Sequence, residues 1–337
     1  MNAPFARVLL GLLPALTLLA VLVYLDSYKL VRPLTVVALL ACGAAIAAAS
    51  YPLNQFVLHR FELSPAVFSR YVAPVTEEFL KALVVMALIR SHRIGFLVDA
   101  AICGFTVGTG FGVAENLYYV HLLPGAGAGT FLVRGFGTAL MHGGATAIFG
   151  VLGLASLERR PDAWVRAFLP GLVLAVLVHS VFNHFFLSPL LSTSGILLVL
   201  PILFHAVFVR SERSLGEWLG RGFDADAATL ELINSGHFAD SPVGRYLHAL
   251  EDRLERTVVA DLLCYLRLHI ELSLRAKGIL LMRENGFEAP PVDQGTREAF
   301  AELRYLETSI GRTGLRAIRP MMGMTGKELW QLYMLGR

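Results

Sequence analysis

Charged residues are scarce in this chain of 337 residues: they make up 16% of it, against about 25% in soluble domains. Apolar residues reach 55%, and the mean hydropathy is +0.60. The shortage is uneven, because residues 1–209 carry 20 charged side chains and residues 210–337 carry 35. This excludes an ordinary soluble globule and predicts two parts, a membrane-embedded bundle at 1–209 and a soluble domain at 210–337.

Cysteine is also rare, with three residues, Cys42, Cys103 and Cys264. An odd number, two of them in apolar stretches, predicts no disulfide framework. The net charge of +3 is too small to indicate a nucleic-acid partner, so none is expected. The 210–337 segment shows no repeat, nucleotide-binding loop or metal-spaced cysteine cluster.

Seven stretches have the length and apolar composition of membrane-spanning helices, which need about 20 residues to cross the hydrocarbon. They are 8–25, 34–53, 71–89, 96–121, 131–154, 167–187 and 190–209. The sequence therefore predicts an all-α fold, a polytopic helical membrane bundle of about seven spans. Gly104, Gly108 and Gly112 repeat every four residues in the fourth stretch and predict a close-packed helix seam.

Lysine and arginine in the short loops predict the orientation of these spans. Nine basic residues fall on one side of a seven-span bundle: Lys29, Arg32, Arg90, Arg93, Arg159, Arg160, Arg166, Arg210 and Arg213. Four fall on the other side: Arg7, Arg60, Arg70 and Arg134. We therefore expect the N-terminus outside and the C-terminal domain in the cytoplasm.

The 210–337 segment reads as helical. Apolar residues at intervals of three and four from Leu247 to Tyr265 predict one long helix that begins at Ser241-Pro242. Gly286 and Pro290-Pro291 break it, and a second helix is expected from Gln294 to Ile310. Residues 321–335 are expected to form a last amphipathic segment. We expect either a small helical domain or a surface that docks against the membrane part, and a cytoplasmic partner for it.

Ionisable residues inside a membrane span are costly and mark functional sites. Four spans contain them together with amides: Glu77, Glu78 and Lys81; then Glu115 and Asn116; then His142; then His179 and Asn183. At 1.5 Å per residue, the three glutamates lie roughly 10 Å inside the outer end of their helices, and the two histidines lie slightly deeper. A common depth on four helices predicts one site in the outer half of the membrane.

Carboxylates and imidazoles in apolar surroundings suit the attack of water on a carbonyl. Glu115, His142 and His179 can supply the three protein ligands of a catalytic zinc ion, with Glu77 or Glu78 as the general base. Asn183 can donate to the oxyanion. Two other classes stay open: a proton-coupled carrier, since such chains also relay protons, and a non-catalytic scaffold in which polar groups only join helices.

The four motifs Glu77-Glu78-x-x-Lys81, Phe111-x-x-x-Glu115-Asn116, His142 and His179-x-x-x-Asn183 resemble those of the PrsW family of intramembrane proteases. That family is similar to the CAAX-protease-like and bacteriocin-immunity membrane proteins, and the resemblance covers roughly residues 50–210. It implies a multi-pass protease of the bacterial inner membrane that cuts a membrane-anchored protein, such as an anti-sigma factor, near its extracytoplasmic side. It also implies a metallopeptidase, although related proteases have been read as glutamate-dependent.

Overall fold

The computed structural model describes residues 3–26, 28, 30–123, 125–160, 163–184, 186–288, 290–319, 322 and 335. All regular elements in these ranges are helices. Lys29, which contributes to the predicted orientation, lies outside them, and so does nearly all of the segment 321–335. The chain divides into two compact units, residues 1–211 and 212–337.

The helices of the first unit follow one another with short connections. They are α1 (Ala3–Leu25), α2 (Pro33–Arg60), α3 (Pro65–Val67), the π-helical turn π1 (Phe68–Val72), α4 (Ala73–Arg90), α5 (Leu97–Leu122), α6 (Ala128–Val133), the π-helical segment π2 (Arg134–Ala139), α7 (Leu140–Arg159), α8 (Trp164–His184) and α9 (Pro189–Asn234). The last of these continues to residue 234, beyond the predicted end of its span at residue 209.

Six helical stretches among the described residues are long and apolar enough to cross a membrane. They are Phe5–Leu25, Pro33–Arg60, Leu97–Leu122, Ala128–Arg159, Trp164–His184 and Pro189–Asn234. The helix α4 corresponds to the third of the seven predicted spans. It has 18 residues and carries four charged side chains, Glu77, Glu78, Lys81 and Arg90, so its composition alone does not identify it as a membrane span. The predicted all-α membrane bundle is confirmed.

Local sequence explains where several helices begin. Proline, which needs no backbone hydrogen-bond partner at the first turn, stands at the start of α2 and α3. The Ser64 hydroxyl accepts from the backbone N–H of Val67 at the start of α3. At the start of α5, Asp99 Oδ2 accepts from the backbone N–H groups of Gly95 and Phe96. These caps fix the first turns of the helices that flank the polar residues.

The helix α5 lies at the centre of the first unit, with 89% of its apolar stretch buried. It packs against α7, α2 and α1. A Cβ atom on Gly108 would lie 2.2 Å from the carbonyl oxygen of His142, and one on Gly104 would lie 2.6 Å from that of Thr146. Only glycine permits this approach, which places the segment of α5 around Gly104 and Gly108 beside the first two turns of α7.

The second unit contains α10 (Pro242–Ala249), α11 (Arg256–Glu284) and α12 (Gln294–Ile318), preceded by the last part of α9. A buried apolar cluster that includes Leu247, Leu262, Tyr265, Leu303 and Leu306 joins them. The hydroxyl of Tyr265 on α11 donates to Glu307 on α12 across 3.1 Å. This unit therefore has a core of its own.

The prediction of one long helix through Leu247 and Tyr265 is wrong. The chain forms a 3₁₀ turn at Leu250–Asp252, and the extended backbone of Glu255 caps a new helix at Arg256. The apolar spacing continues through the break because α10 and α11 both contribute to the same core. The predicted end at Ile310 is a kink within α12, where Gly311 has a φ of 68°.

Candidate active site

The innermost part of the site is an ion pair on α4. Glu78 and Lys81 stand one turn apart, and their side chains are 1% and 0% exposed. Lys81 Nζ donates to Glu78 Oε1 across 2.5 Å and lies 3.0 Å from His142 Nδ1. The ring of Phe111 covers the same ammonium group, with its centroid 4.6 Å away. Lys81 is thus held by one carboxylate, one imidazole and one aromatic face.

The two histidines come from α7 and α8 and meet edge to face, with ring centroids 4.7 Å apart. His179 Nδ1 donates to Glu78 Oε1 across 2.9 Å, so this oxygen accepts hydrogen bonds from both His179 and Lys81. Glu78 therefore connects α4 to α8, and its buried side chain has no access to solvent.

Glu115 on α5 is the carboxylate partner of His142. Its Oε2 lies 3.1 Å from His142 Nε2, and its Oε1 lies 3.2 Å from Arg134 Nη2. The ammonium group of Lys81 can only donate hydrogen bonds, so His142 Nδ1, 3.0 Å away, must be the acceptor. The Nε2–H of His142 then donates to Glu115.

Glu77 is held from a different helix. Asn54 on α2 donates from Nδ2 to Glu77 Oε1 across 3.1 Å, while Thr76 donates to Asn54 Oδ1 across 2.8 Å. The hydrogen bond from Thr76 fixes the orientation of the Asn54 amide. Oε2 of Glu77 is directed towards His179, 4.0 Å from its Nε2.

The two asparagines of the motifs fasten helices together. Asn116 is fully buried and donates from Nδ2 to the carbonyl oxygens of Gly11 and Arg134, at 2.7 and 3.2 Å. Asn183 donates from Nδ2 to the carbonyl oxygen of Ser69 across 2.9 Å. Its neighbour Ser180 donates to Arg70 in the same way, across 2.6 Å. The amide nitrogens of both asparagines therefore bind backbone.

A π-helical segment precedes the active residues on two of these helices. π1 lies immediately before α4, and π2 lies immediately before α7. Residues within π1 supply the carbonyl oxygens that Asn183 and Ser180 bind. Such segments are rare and are frequent at functional sites, which agrees with their position here.

An open cavity of about 830 Å³ lies beside these groups. Glu77, Glu115, His142 and His179 line it. The side chains of Glu77 and Glu115 are 13% and 27% exposed, so both carboxylates can meet water in the cavity. Glu78 and Lys81 lie behind them. The carboxylates of Glu77 and Glu115 are thus accessible from the cavity, whereas Glu78 and Lys81 form a buried layer behind it.

Glu77, His142 and His179 each offer a ligand atom, and these atoms all lie within 4.8 Å of one another. Two imidazoles and one carboxylate match the donor set of catalytic zinc sites. Each imidazole also has a carboxylate partner, Glu115 for His142 and Glu78 for His179, as is usual for histidines that bind metal. Both nitrogens of His142 are engaged, by Lys81 and by Glu115, so one of these two contacts would give way to a zinc ion. By donor chemistry, the residues therefore fit a zinc ion. The sequence places Glu115 in this set, whereas the geometry groups Glu77 with the histidines.

The sequence analysis missed Asn54, Thr76 and Arg134. Asn54 lies one residue beyond the predicted end of the second span, but α2 continues to Arg60. Arg134 was counted as a loop charge. Its distance of eight residues from His142, two turns along one helix, is the signal that could have placed both on one face.

Comparison with known proteins identifies the family of the chain. A protein-family model described as PrsW family intramembrane metalloprotease matches residues 32–209, just over half of the chain, and this range contains every residue of the site. The comparison with curated proteins gave no match, and neither did the comparison with solved structures. The family predicted from the four motifs is confirmed: the chain belongs to the PrsW family of intramembrane metalloproteases and is a membrane-embedded peptidase.

Proposed function

We propose that the protein cleaves a peptide bond of a membrane-anchored protein, with the hydrolysis taking place in the cavity between α2, α4, α5, α7 and α8. The observation that carries this proposal is the meeting of Glu77, His142 and His179 within 4.8 Å at the wall of that cavity. These residues come from three helices and are distant in the sequence.

Glu77, His142 and His179 would hold a zinc ion. When bound, such an ion supplies Lewis acidity, which polarises a carbonyl group and makes water a better nucleophile. Glu115 and Glu78 orient the two imidazoles through the hydrogen bonds described above. Lys81 balances the buried charge of Glu78 and assigns the tautomer of His142. Asn54 keeps Oε1 of Glu77 occupied, so that Oε2 faces the histidines.

The same residues also support a mechanism without metal, and one observation favours it as a second candidate. Glu77 lines the cavity, has an uncommitted oxygen, and can accept a proton from an attacking water directly. The same carboxyl group would then pass this proton to the leaving amine, while Glu115 and Lys81 hold the neutral ring of His142 in place. Both candidates need Glu77, as a zinc ligand in the first and as the general base in the second.

The position of the cavity supports a cleavage site near the membrane surface. Tyr51 and Tyr118 line the cavity with half-exposed rings, whose centroids lie 5.6 Å apart. Tyrosine is enriched where the hydrocarbon meets the headgroups. Together with the loop charges, this supports a multi-pass protein of the bacterial inner membrane, with the N-terminus and the cavity on the outer side. The favoured substrate is a single-span regulator of the anti-sigma-factor class.

The experiment uses the purified full-length protein in proteoliposomes with a panel of single-span reporter proteins. Wild-type protein should cleave at least one reporter, and Glu77→Gln and His179→Ala should abolish cleavage while still accumulating in the membrane. Zinc bound at one ion per chain, with activity lost to a chelator and restored by Zn²⁺, supports the metal mechanism. Chelator-resistant cleavage by metal-free protein supports the second candidate, and normal cleavage by both variants would refute the site.

We also propose that the helical domain 210–337 binds a cytoplasmic partner. The support is its separate core and its exposed aromatic residues Phe287 and Tyr305, which are 68% and 70% exposed. Full-length protein and a chain that ends after Arg210 should differ in the rate or the choice of reporter cleavage in cells. Identical cleavage patterns would contradict a regulatory role.

A further inference from the structure

Arg134 is a cation in the wall of the catalytic cavity that the proposed reaction does not use. It is the first residue of π2, and its side chain is 16% exposed. A buried arginine in an apolar bundle needs partners of opposite charge or good acceptors. The partners of Arg134 therefore indicate its role.

All of these partners come from one stretch of α5. Arg134 Nε donates to Asn116 Oδ1 across 3.0 Å, and Nη2 lies 3.2 Å from Glu115 Oε1. The guanidinium lies over the ring of Tyr119, 3.7 Å from its centroid. Asn116 in return donates to the backbone carbonyl of Arg134. Contacts at two nitrogens and on one face hold the guanidinium in place.

This arrangement divides the two oxygens of Glu115 between two partners. Oε1 forms an ion pair with Arg134 Nη2 at 3.2 Å, without hydrogen-bond geometry, and Oε2 accepts from His142 Nε2 across 3.1 Å. Glu115 is more than a quarter exposed, so without Arg134 its carboxylate could turn into the cavity and be solvated there. His142 would then lose the acceptor that fixes its ring.

We propose that Arg134 is a positioning residue of the peptidase, which acts through Glu115 to orient His142. Asn116, a residue of the family motif, contributes by holding the guanidinium. Because this inference rests on the proposed role of His142, the test uses two readouts, one of which needs no substrate.

The first readout is the affinity of the detergent-purified full-length protein for Zn²⁺ alone, measured by competition with a chelating dye. Loss of a partner behind a metal-binding histidine typically weakens metal binding about 10- to 100-fold. We expect this range for Arg134→Gln and for Glu115→Gln, and a smaller loss for Arg134→Lys, which keeps the charge but cannot bind Glu115 and Asn116 together. Arg166→Gln, at an exposed arginine outside the site, is the matched control and should bind like wild type.

The double variant Glu115→Gln/Arg134→Gln tests whether Arg134 acts through Glu115 or independently of it. If Arg134 acts through Glu115, the double variant should bind Zn²⁺ within about twofold of Glu115→Gln, because coupled residues are not additive. Losses that multiply, or an Arg134→Gln variant that binds like wild type, would overturn the proposal. Arg134→Lys covers the case in which Arg134→Gln does not fold: a Lys variant with unchanged affinity would also overturn it.

The second readout is kcat and KM for a reporter that the wild-type protein cleaves. It is measured in Arg134→Gln, Arg134→Lys, Glu115→Gln and the double variant. A positioning role predicts a lower kcat at similar KM, whereas direct contact of Arg134 with the substrate predicts a raised KM and overturns the inference. If the wild-type protein binds no Zn²⁺, the zinc part of the proposed function fails, and the non-additivity of the kcat losses then tests Arg134 by itself.

Discussion

Replacement of Lys81 by methionine should destabilise the protein more than any other single change at the site. The ammonium group of Lys81 and the carboxylate of Glu78 are almost completely buried, 2.5 Å apart. Methionine keeps the length and apolar stem of the side chain and removes the charge. Glu78 would retain His179 as its hydrogen-bond donor but would lose its counterion.

The size of the effect follows from the cost of a buried charge without a partner. Removal of one member of a buried ion pair typically costs about 3–5 kcal/mol of unfolding free energy. The hydrogen bond to His142 Nδ1 is lost as well, which adds about 1 kcal/mol. In Lys81→Met/Glu78→Gln no unpaired charge remains, so we expect the double variant to recover roughly 2–3 kcal/mol of the loss.

The assay is unfolding in mixed micelles with a rising fraction of dodecyl sulfate, followed by the helical circular dichroism signal. Arg90→Met is the control on the same helix, at an exposed position, and should change stability by less than about 1 kcal/mol. A Lys81→Met variant as stable as the wild type would refute the reasoning. So would a double variant that is less stable than Lys81→Met, because it would show that the unpaired charge is not the cause.

Three further predictions test the support of the site and the second unit. Asn54→Leu should lower kcat for reporter cleavage about 10- to 100-fold by freeing Glu77, with normal accumulation in the membrane; an unchanged kcat would contradict the role of Asn54. Gly108→Ala should reduce both stability and cleavage, because its Cβ would meet the carbonyl oxygen of His142, and unaltered unfolding would show that α5 and α7 can move apart freely. Burial lowers the pKa of His269 from 6.5 to about 4. Between these two pH values the unfolded chain binds more protons than the folded one, so the free energy of unfolding should fall as the pH is lowered from 6.5 to 4. In His269→Leu, the free energy of unfolding should depend less on pH over this range. An equal pH dependence in the variant would exclude His269 as its source.

The sequence predicted the composition of the site because polar groups inside apolar spans are few and costly. Lys81 is within reach of both Glu77 at four residues and Glu78 at three, so the spacing indicates an ion pair, and the structure shows it with Glu78. The glycine seam of α5 indicated a close helix contact, which the structure shows with α7. Local spacing is sufficient to predict that these two contacts exist, but not which partner each one takes.

Other features depend on how each helix is rotated about its axis, which a count of residues along the helix does not give. Depth placed Glu77, Glu78 and Glu115 at one level, but adjacent residues point in directions about 100° apart. Rotation decides that Glu78 faces the interior, that Glu77 faces the cavity, and that Glu115 is shared between His142 and Arg134. For this reason the sequence analysis grouped Glu115 with the two histidines, whereas the structure groups Glu77 with them.

The balance of charge explains why Glu77 is the group available for chemistry. Among the described residues, Glu78 has Lys81 as its cation and Glu115 has Arg134, and each of these carboxylates also receives a histidine. Glu77 contacts a neutral amide, Asn54, and approaches His179 only to 4.0 Å. A carboxylate without a cation in direct contact keeps its capacity to bind a metal ion or to take a proton from water. The two carboxylate–cation pairs therefore hold the imidazoles in place, and Glu77 is left in the cavity wall without a lysine or arginine in direct contact among the described residues. Neutralisation of Glu77 should consequently affect the chemical step, whereas changes in the two pairs should first affect the geometry of the histidines.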